Sequence, residues 1–262
     1  MDANNIKFRC SSLGYIMTEA RSKTEILSET CKTHLVDVFV SEKYGRREEI
    51  SGKHLDKGNE REEDSITLLS RVNRKFYKKN DIRLSNDFIQ GECDVYEGDE
   101  ITKATHTLDT KTSWSAHTFF RSQNKKLDDM YFCQGHGYMW LTGATMHTVA
   151  FCLVNGTPKA IMDEKKKLLW SMSENDSAYK EKCKQIEINH IFNLGEFINE
   201  NPNFDLDNSV ADWNFDIPMN DRLFQFRFER DEDVIERFKK RIIDCREWMN
   251  KNLYKTELIK TI

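Results

Sequence analysis

Gly91-Glu92-Cys93-Asp94-Val95-Tyr96-Glu97-Gly98-Asp99, followed by Leu108-Asp109-Thr110-Lys111-Thr112-Ser113-Trp114, decides how this chain is read. Asp94 sits beside a short apolar run. Asp109 follows after a turn, with Lys111 two residues on. Strand side chains alternate with period two, so Asp109 and Lys111 point to the same side. Two carboxylates and an ammonium converging on one sheet edge are costly unless something binds there. A divalent cation with hard oxygen ligands, such as Mg²⁺, is the natural guest, and a phosphate on that cation would use the lysine. Taken alone, an acid two residues before a lysine is a weak signal. It recurs at Asp163/Lys165 and Glu164/Lys166, in a lysine-rich run that reads as a solvated helix face.

The flanking segments give the pair a setting. Upstream, a helix is expected over about 53–72, with Leu55, Ile66 and Leu69 on one face. At 100° per residue Glu62 falls within ~40° of all three, whereas Glu60 and Asp64 point elsewhere and Glu63 lies on the flank. Gly58, one turn earlier, suggests close backbone approach. Strand-like runs follow at Phe76-Tyr77, at Ile82 to Leu84, at Phe88 to Tyr96 and at Thr105 to Ser113, punctuated by Asn, Asp and Gly turns. Asp128-Asp129 opens the next helix at its favourable positive end. Its inward stripe is Tyr131, Gln134, Tyr138 and Leu141. Gln134, polar within an aromatic face, either satisfies a buried backbone group or reaches the site. Gly135 and Gly137 allow close packing. A strand from His147 to Val154 ends at Asn155-Gly156-Thr157-Pro158.

Farther out, Ser11 and Ser12 precede an apolar turn, an N-cap signal. They either start a helix or present amides, a hydroxyl and Arg9 to a phosphate. Ser28 begins an amphipathic helix with Cys31, Leu35, Val38 and Phe39 on one face, closed by Tyr44-Gly45. Residues 159–200 read as helical and 201–221 as an Asn- and Asp-rich loop. Arg222 to Glu229 alternates Phe224, Phe226 and Phe228 against Gln225 and Arg227, a half-buried strand. Residues 231–251 form a last amphipathic helix with Val234, Ile235, Phe238, Ile242, Cys245 and Trp248 or Met249 inward. This final strand and helix either complete the core, the preferred reading, or supply a subunit interface. The element order describes an α/β (α+β) chain with a mixed sheet.

Composition narrows the classes. The 262 residues can bury a sizeable core, and 38% hydrophobic against 32% charged residues describe a soluble, polar protein. No apolar run approaches the ~18 residues of a membrane span, and the N-terminus lacks a signal-peptide core. The seven cysteines are scattered with no C-x-x-C, which argues against zinc ribbons and iron–sulfur clusters and for reduced thiols in a cytoplasm. A net charge of −4 argues against polyanion binding by net charge alone, but basic clusters are present, among them Lys78-Lys79 and Lys239-Lys240-Arg241. There is no Walker loop, so ATP use is not expected, and the histidines form no H-x-x-x-H pair or deaminase signature.

Three blocks then resemble one family. Gly58-Asn-Glu-Arg-Glu62 is similar to a glycine, three residues and a helical glutamate. Asp94 with Asp109-Thr110-Lys111 is the second block, and Gln134-Gly-His-Gly-Tyr138 is similar to a Q-x-x-x-Y helix. Together they resemble the PD-(D/E)XK nuclease superfamily, in particular phage lambda exonuclease and YqaJ-like viral recombinase nucleases. Arg9, Ser11 and Ser12 look like that family's phosphate-contact turn. The match spans about 9–154, the motif-bearing core of one nuclease domain over 1–262, with residues 155–262 an elaboration no motif covers. Asp109 stands where the lambda enzyme has glutamate, a shortening of one methylene.

The resemblance implies a restriction-endonuclease-like core with a central mixed β-sheet flanked by helices. It implies Mg²⁺, with Mn²⁺ substituting, held by Glu62, Asp94, Asp109 and the Thr110 carbonyl. Lys111 would orient or deprotonate water, and Gln134 would position that water, Lys111 or the phosphate. The implied activity is phage-type exonucleolytic degradation of linear double-stranded DNA in recombination, within a bacterial host cytoplasm. The alternatives are a structure-specific or restriction-like endonuclease, or a non-catalytic DNA-binding protein on a nuclease fold. A single-strand annealing protein and a homo-oligomeric ring, a trimer in relatives, are the implied partners, with no ATP and no membrane.

Overall fold

Period-two alternation along the strand of Asp109 and Lys111 sorts the fold into two faces. The computed structural model describes residues 2–47, 57, 58 and 60–254. In chain order the main elements are β1 (Phe8–Arg9), α1 (Leu13–Ile16), α2 (Glu29–Tyr44), α3 (Glu62–Asn73), β2 (Leu84–Ser85), β3 (Ile89–Gly91), β4 (Val95–Glu97) and β5 (His106–Thr112). They continue with α4 (Ala116–Gln123), α5 (Asp129–Thr142), β6 (Met146–Cys152), α6 (Pro158–Leu168), α7 (Ser177–His190), α8 (Leu194–Glu200), β7 (Leu223–Glu229) and α9 (Glu232–Met249). Among the described residues no helix is long and apolar enough to cross a membrane.

The principal sheet has the order β4-β5-β6-β7, with β5 and β6 parallel and both outer pairs antiparallel. A smaller sheet has the order β1-β3-β2. Along β5, Leu108 packs with Ile66 and Leu69 of α3, and the Thr112 hydroxyl lies 2.9 Å from that of Ser65. Thr107, Asp109 and Lys111 face α5 instead, where Lys111 meets Gln134. Close approach of α5 requires its small residues. A Cβ on Gly137 would stand 2.7 Å from Leu13 Cδ1, and one on Gly135 would enter the His147 ring.

Two expected segments behave differently. Phe76-Tyr77 forms no strand, and the run from Phe88 to Tyr96 divides into β3 and β4, which belong to different sheets. Asn80 accounts for the break. Its side-chain amide donates to the carbonyls of Cys93 (2.9 Å) and Ile82 (3.1 Å), and its backbone N–H donates to the Asp94 carbonyl (2.8 Å). Carbonyls that would continue one ladder are thus taken by a turn residue. The helix α4, capped by Ser115, was not expected from the sequence. The helix read over 53–72 is seen from Glu62 onward; Leu55 lies outside the described residues. At Gly58 a Cβ would meet nothing within 4 Å, so that glycine is not explained by close backbone approach.

Cap signals elsewhere hold at one helix and fail at another. The Ser28 side chain caps α2 by accepting from the Cys31 N–H, and Gly45 ends that helix in the left-handed region at φ 64°. Ser11 and Ser12 cap nothing; the Ser12 hydroxyl donates instead to the Arg9 carbonyl at 2.9 Å. The Phe-rich strand β7 pairs along the whole of β6, from Met146↔Glu229 to Cys152↔Leu223. Helix α9 buries Val234, Phe238, Ile242 and Met249 in the cluster that contains Phe8, Leu13 and Leu35. Both C-terminal elements therefore complete the core. Helices α6 to α8 enclose a separate small cluster of Ile161, Ile191, Leu194 and Phe197.

Candidate active site

The break between β3 and β4 sets Asp94 opposite Asp109, because Val95 pairs with Leu108 in an antiparallel ladder. Asp94 is held by one residue: Oδ2 accepts the Thr110 backbone N–H at 2.6 Å and the Thr110 hydroxyl at 2.8 Å. Asp109 is buried, and its Oδ2 forms an ion pair with the Lys111 ammonium. Burial, and after it the charge of Asp109, pushes the Asp94 carboxyl up to about 7, against the Thr110 hydrogen bond. Two carboxylates crowded this closely hold one excess negative charge that the described side chains leave unbalanced.

Lys111 is held from three sides. Its Nζ donates to Gln134 Oε1 at 3.3 Å, pairs with Asp109, and stands 4.9 Å from the centroid of the Tyr131 ring. Burial disfavours its charge, but Asp109 more than offsets this and its pKa is raised. Gln134 in turn donates from Nε2 to the Tyr138 hydroxyl at 2.7 Å. The Q-x-x-x-Y spacing is thus one hydrogen bond across a helical turn, and it points the Gln134 carbonyl oxygen at Lys111. Gln134 reaches the site and does not serve a backbone group.

Glu62 begins α3 and is half-buried, while Glu60 and Glu63 are exposed and Asp64 is committed to Arg61 at 2.7 Å. Its charge reaches Asp94, but its nearest cation is Lys79, at 3.3 Å from Oε1. Arg9 and Ser11 are exposed and Ser12 is turned inward. Their turn packs on α5 through Cys10, whose thiol burial pushes far above its ordinary range, with a small contribution from the Asp109 charge.

The donor set suits a hard divalent cation at Asp94 and Asp109: two carboxylates, mutually repelling, one of them protonated near neutral pH in the absence of a counter-ion. Among the described residues, however, no three Asp, Glu, His or Cys side chains are grouped closely enough to hold an ion. The seat as built is two carboxylates, and Glu62 is paired with Lys79.

Four contributors escaped the sequence reading. The Thr110 side chain and amide fix Asp94, Asn80 makes the strand break, and Lys79 neutralises Glu62. Lys57 is buried and donates to the carbonyls of Ser113 (2.9 Å) and Trp114 (3.1 Å), tying the approach to α3 onto the end of β5. Burial, with Arg61 nearby, lowers its pKa to about 7. Asn80 and Lys79 carried a sequence signal, as parts of one Lys-Lys-Asn-Asp turn.

The mixed sheet flanked by helices is a nuclease fold, as the resemblance implied. The solved structures agree. A phage-related exonuclease from Haemophilus somnus 129PT superposes with a TM-score of 0.66 at 25% identity, over 94% of this chain and 95% of its own. An alkaline exonuclease from Laribacter hongkongensis superposes with a TM-score of 0.58 at 13% identity, over 97% of this chain and 94% of its own. No protein-family model and no curated protein matches the chain.

Proposed function

We propose that the protein is a metal-dependent deoxyribonuclease that degrades linear double-stranded DNA from its ends, in phage-type recombination. The observation that carries this is the Asp94–Asp109–Lys111 cluster around the buried Asp109, with Gln134 aimed at the lysine, on a fold shared with exonucleases along nearly the whole chain. Asp94 and Asp109 would hold Mg²⁺ or Mn²⁺, with Glu62 and the Thr110 carbonyl completing the oxygen set. When bound, the cation activates water and offsets charge on the phosphate.

Lys111 keeps its proton at neutral pH, because its pKa lies above the ordinary lysine value. It would orient the attacking water and steady the developing phosphorane charge. Gln134 and Tyr131 hold its ammonium in place. Thr110 orients Asp94. Arg9 and Ser11, exposed on their turn, are the candidates for a phosphate contact. A closed ring of subunits that stays on the DNA between cuts, and an annealing protein that takes the product strand, belong to the same reading.

Digestion of 5′- and 3′-labelled linear duplex alongside covalently closed circles tests it. Linear duplex should release mononucleotides from an end in Mg²⁺ or Mn²⁺ without nucleotide, circles should survive, and Ca²⁺ should support binding with little cleavage. Full activity in EDTA would overturn the metal mechanism. Rapid cutting of closed circles would replace the exonuclease with an endonuclease.

A further inference from the structure

Arg74-Lys75-Phe76-Tyr77-Lys78-Lys79 joins the end of α3 to Asn80 and holds four cations and two aromatic rings within six residues. The segment is pinned at both ends. Arg74 closes α3 in the left-handed region at φ 53°, a conformation that favours glycine, and turns the chain outward. Asn80 donates its backbone N–H to the carbonyl of Asp94. Between them the side chains alternate. Tyr77 is buried in the core with Ile66 and Leu69, and its N–H donates to Ser70 Oγ at 3.2 Å. Phe76 and Lys78, on either side of it, point to solvent, and Phe76 is 87% exposed.

The four cations divide in the same way. Lys75 is paired with Glu97 at 2.7 Å and Lys79 with Glu62 at 3.3 Å. Arg74 and Lys78 make no ion pair with a described residue and are exposed. One edge of the segment therefore presents two available cations around an uncovered aromatic face, and its far end meets the Glu62 carboxylate through Lys79 and the Asp94 backbone carbonyl through Asn80. The nearest acid on this segment's own continuation is Asp81; Glu97 is already neutralised by Lys75.

We infer that this edge binds the unpaired strand of a DNA substrate beside the catalytic centre. Phe76 stacks on a base while Arg74 and Lys78 contact phosphates. The occupant follows from the chemistry. An exposed ring flanked by cations matches an alternation of base and phosphate, and only an unpaired base offers it a free face. Duplex DNA would use the cations and leave the ring uncovered. The inference rests on the nuclease reading and adds to it the strand that the enzyme holds.

Fluorescence anisotropy in Ca²⁺ buffer, with a blunt duplex, a duplex carrying an unpaired tail and a single strand as probes, tests it. Phe76→Ala, which removes a solvent-exposed ring and should leave the circular-dichroism spectrum unchanged, should weaken binding of the tailed and single-stranded probes about 5- to 100-fold. Blunt duplex should change by less than about twofold. Lys78→Ala should lower the salt slope on the tailed probe by about 0.7. Wild-type affinity of Phe76→Ala for the tailed probe overturns the inference while the wild-type protein still binds and cuts. Equal losses on all three probes overturn the assignment to an unpaired strand. A wild-type protein that neither binds nor cuts any DNA overturns the nuclease reading together with this one.

Discussion

Asp94, Asp109 and Lys111 in the central sheet have the same inventory as Glu187, Asp207 and Lys165 in the helical layer: two carboxylates and one ammonium. Each lysine also follows an aspartate by two residues, Asp109 in one case and Asp163 in the other. In β5 the two side chains share a face, and Lys111 pairs with Asp109. In α6 a step of two residues turns the side chains about 200° apart. Lys165 accordingly pairs with carboxylates from elsewhere, Glu187 at 2.7 Å and Asp207 at 2.6 Å. It is buried, contrary to the solvated helix face expected for its run.

The two clusters differ in how they are satisfied. Glu187 is fully buried and accepts from Lys165, from the backbone N–H groups of Asp207 (2.7 Å) and Asn208 (2.9 Å), and from Asn208 Nδ2 (2.7 Å). That is a closed clasp holding a loop to α7. In the sheet, both donors to Asp94 come from Thr110 and both go to one oxygen. A satisfied cluster supports a fold, and an under-satisfied one keeps affinity for a guest.

Replacing each lysine probes that difference most strongly. Lys111→Ala should reduce single-turnover cleavage of labelled duplex by at least ~10²-fold, the scale for losing one preorganised charge. The protein should stay folded and bind DNA. Normal cutting by this variant would mean that the pair at 109 and 111 is structural, like its counterpart.

Lys165→Met should cost about 3 kcal/mol in urea unfolding, because it leaves the Glu187 carboxylate buried without its cation. The loss should not be recovered by Mg²⁺. Lys111→Ala, which strips the cation from Asp109, should show a stability loss in EDTA that Mg²⁺ largely reverses. Melting both variants with and without Mg²⁺ separates the clasp from the metal seat.

A further test concerns pH. The Asp94 carboxyl has a folded pKa of about 7, raised from the ordinary carboxylate value of 3.8. Between those values the folded chain holds a proton that the unfolded chain has released, so stability falls as pH rises from about 4 to about 7. Urea midpoints in EDTA across that range should decline for the wild type and decline less for Asp94→Asn. Identical slopes would show that burial and the charge of Asp109 do not raise the Asp94 carboxyl.

Much of this was legible in the sequence wherever a pattern is local. Period two placed Asp109 with Lys111, and period 3.6 placed Gln134 over Tyr138. Cap chemistry gave the ends of α2. The reading failed where a distant group outbid the local signal. The run from Phe88 to Tyr96 has the composition of one strand, and only Asn80, fourteen residues before Asp94, divides it between two sheets. The serines at 11 and 12 have cap chemistry, but Ser12 bonds back to the Arg9 carbonyl.

The chain by itself determined which side chains share a face, because backbone geometry fixes that spacing whatever surrounds it. It also determined the kind of chemistry, since carboxylates, a lysine and an amide carry their donors and acceptors with them. Only the tertiary structure decided which of two similar clusters is left unsatisfied. The count of hydrogen-bond donors around a carboxylate comes from segments far apart in sequence: Asn208 and Lys165 close around Glu187, while among the described residues Thr110 alone serves Asp94. The same holds for Lys79, which meets Glu62 because α3 and its following turn fold back to the strand break at Asp94.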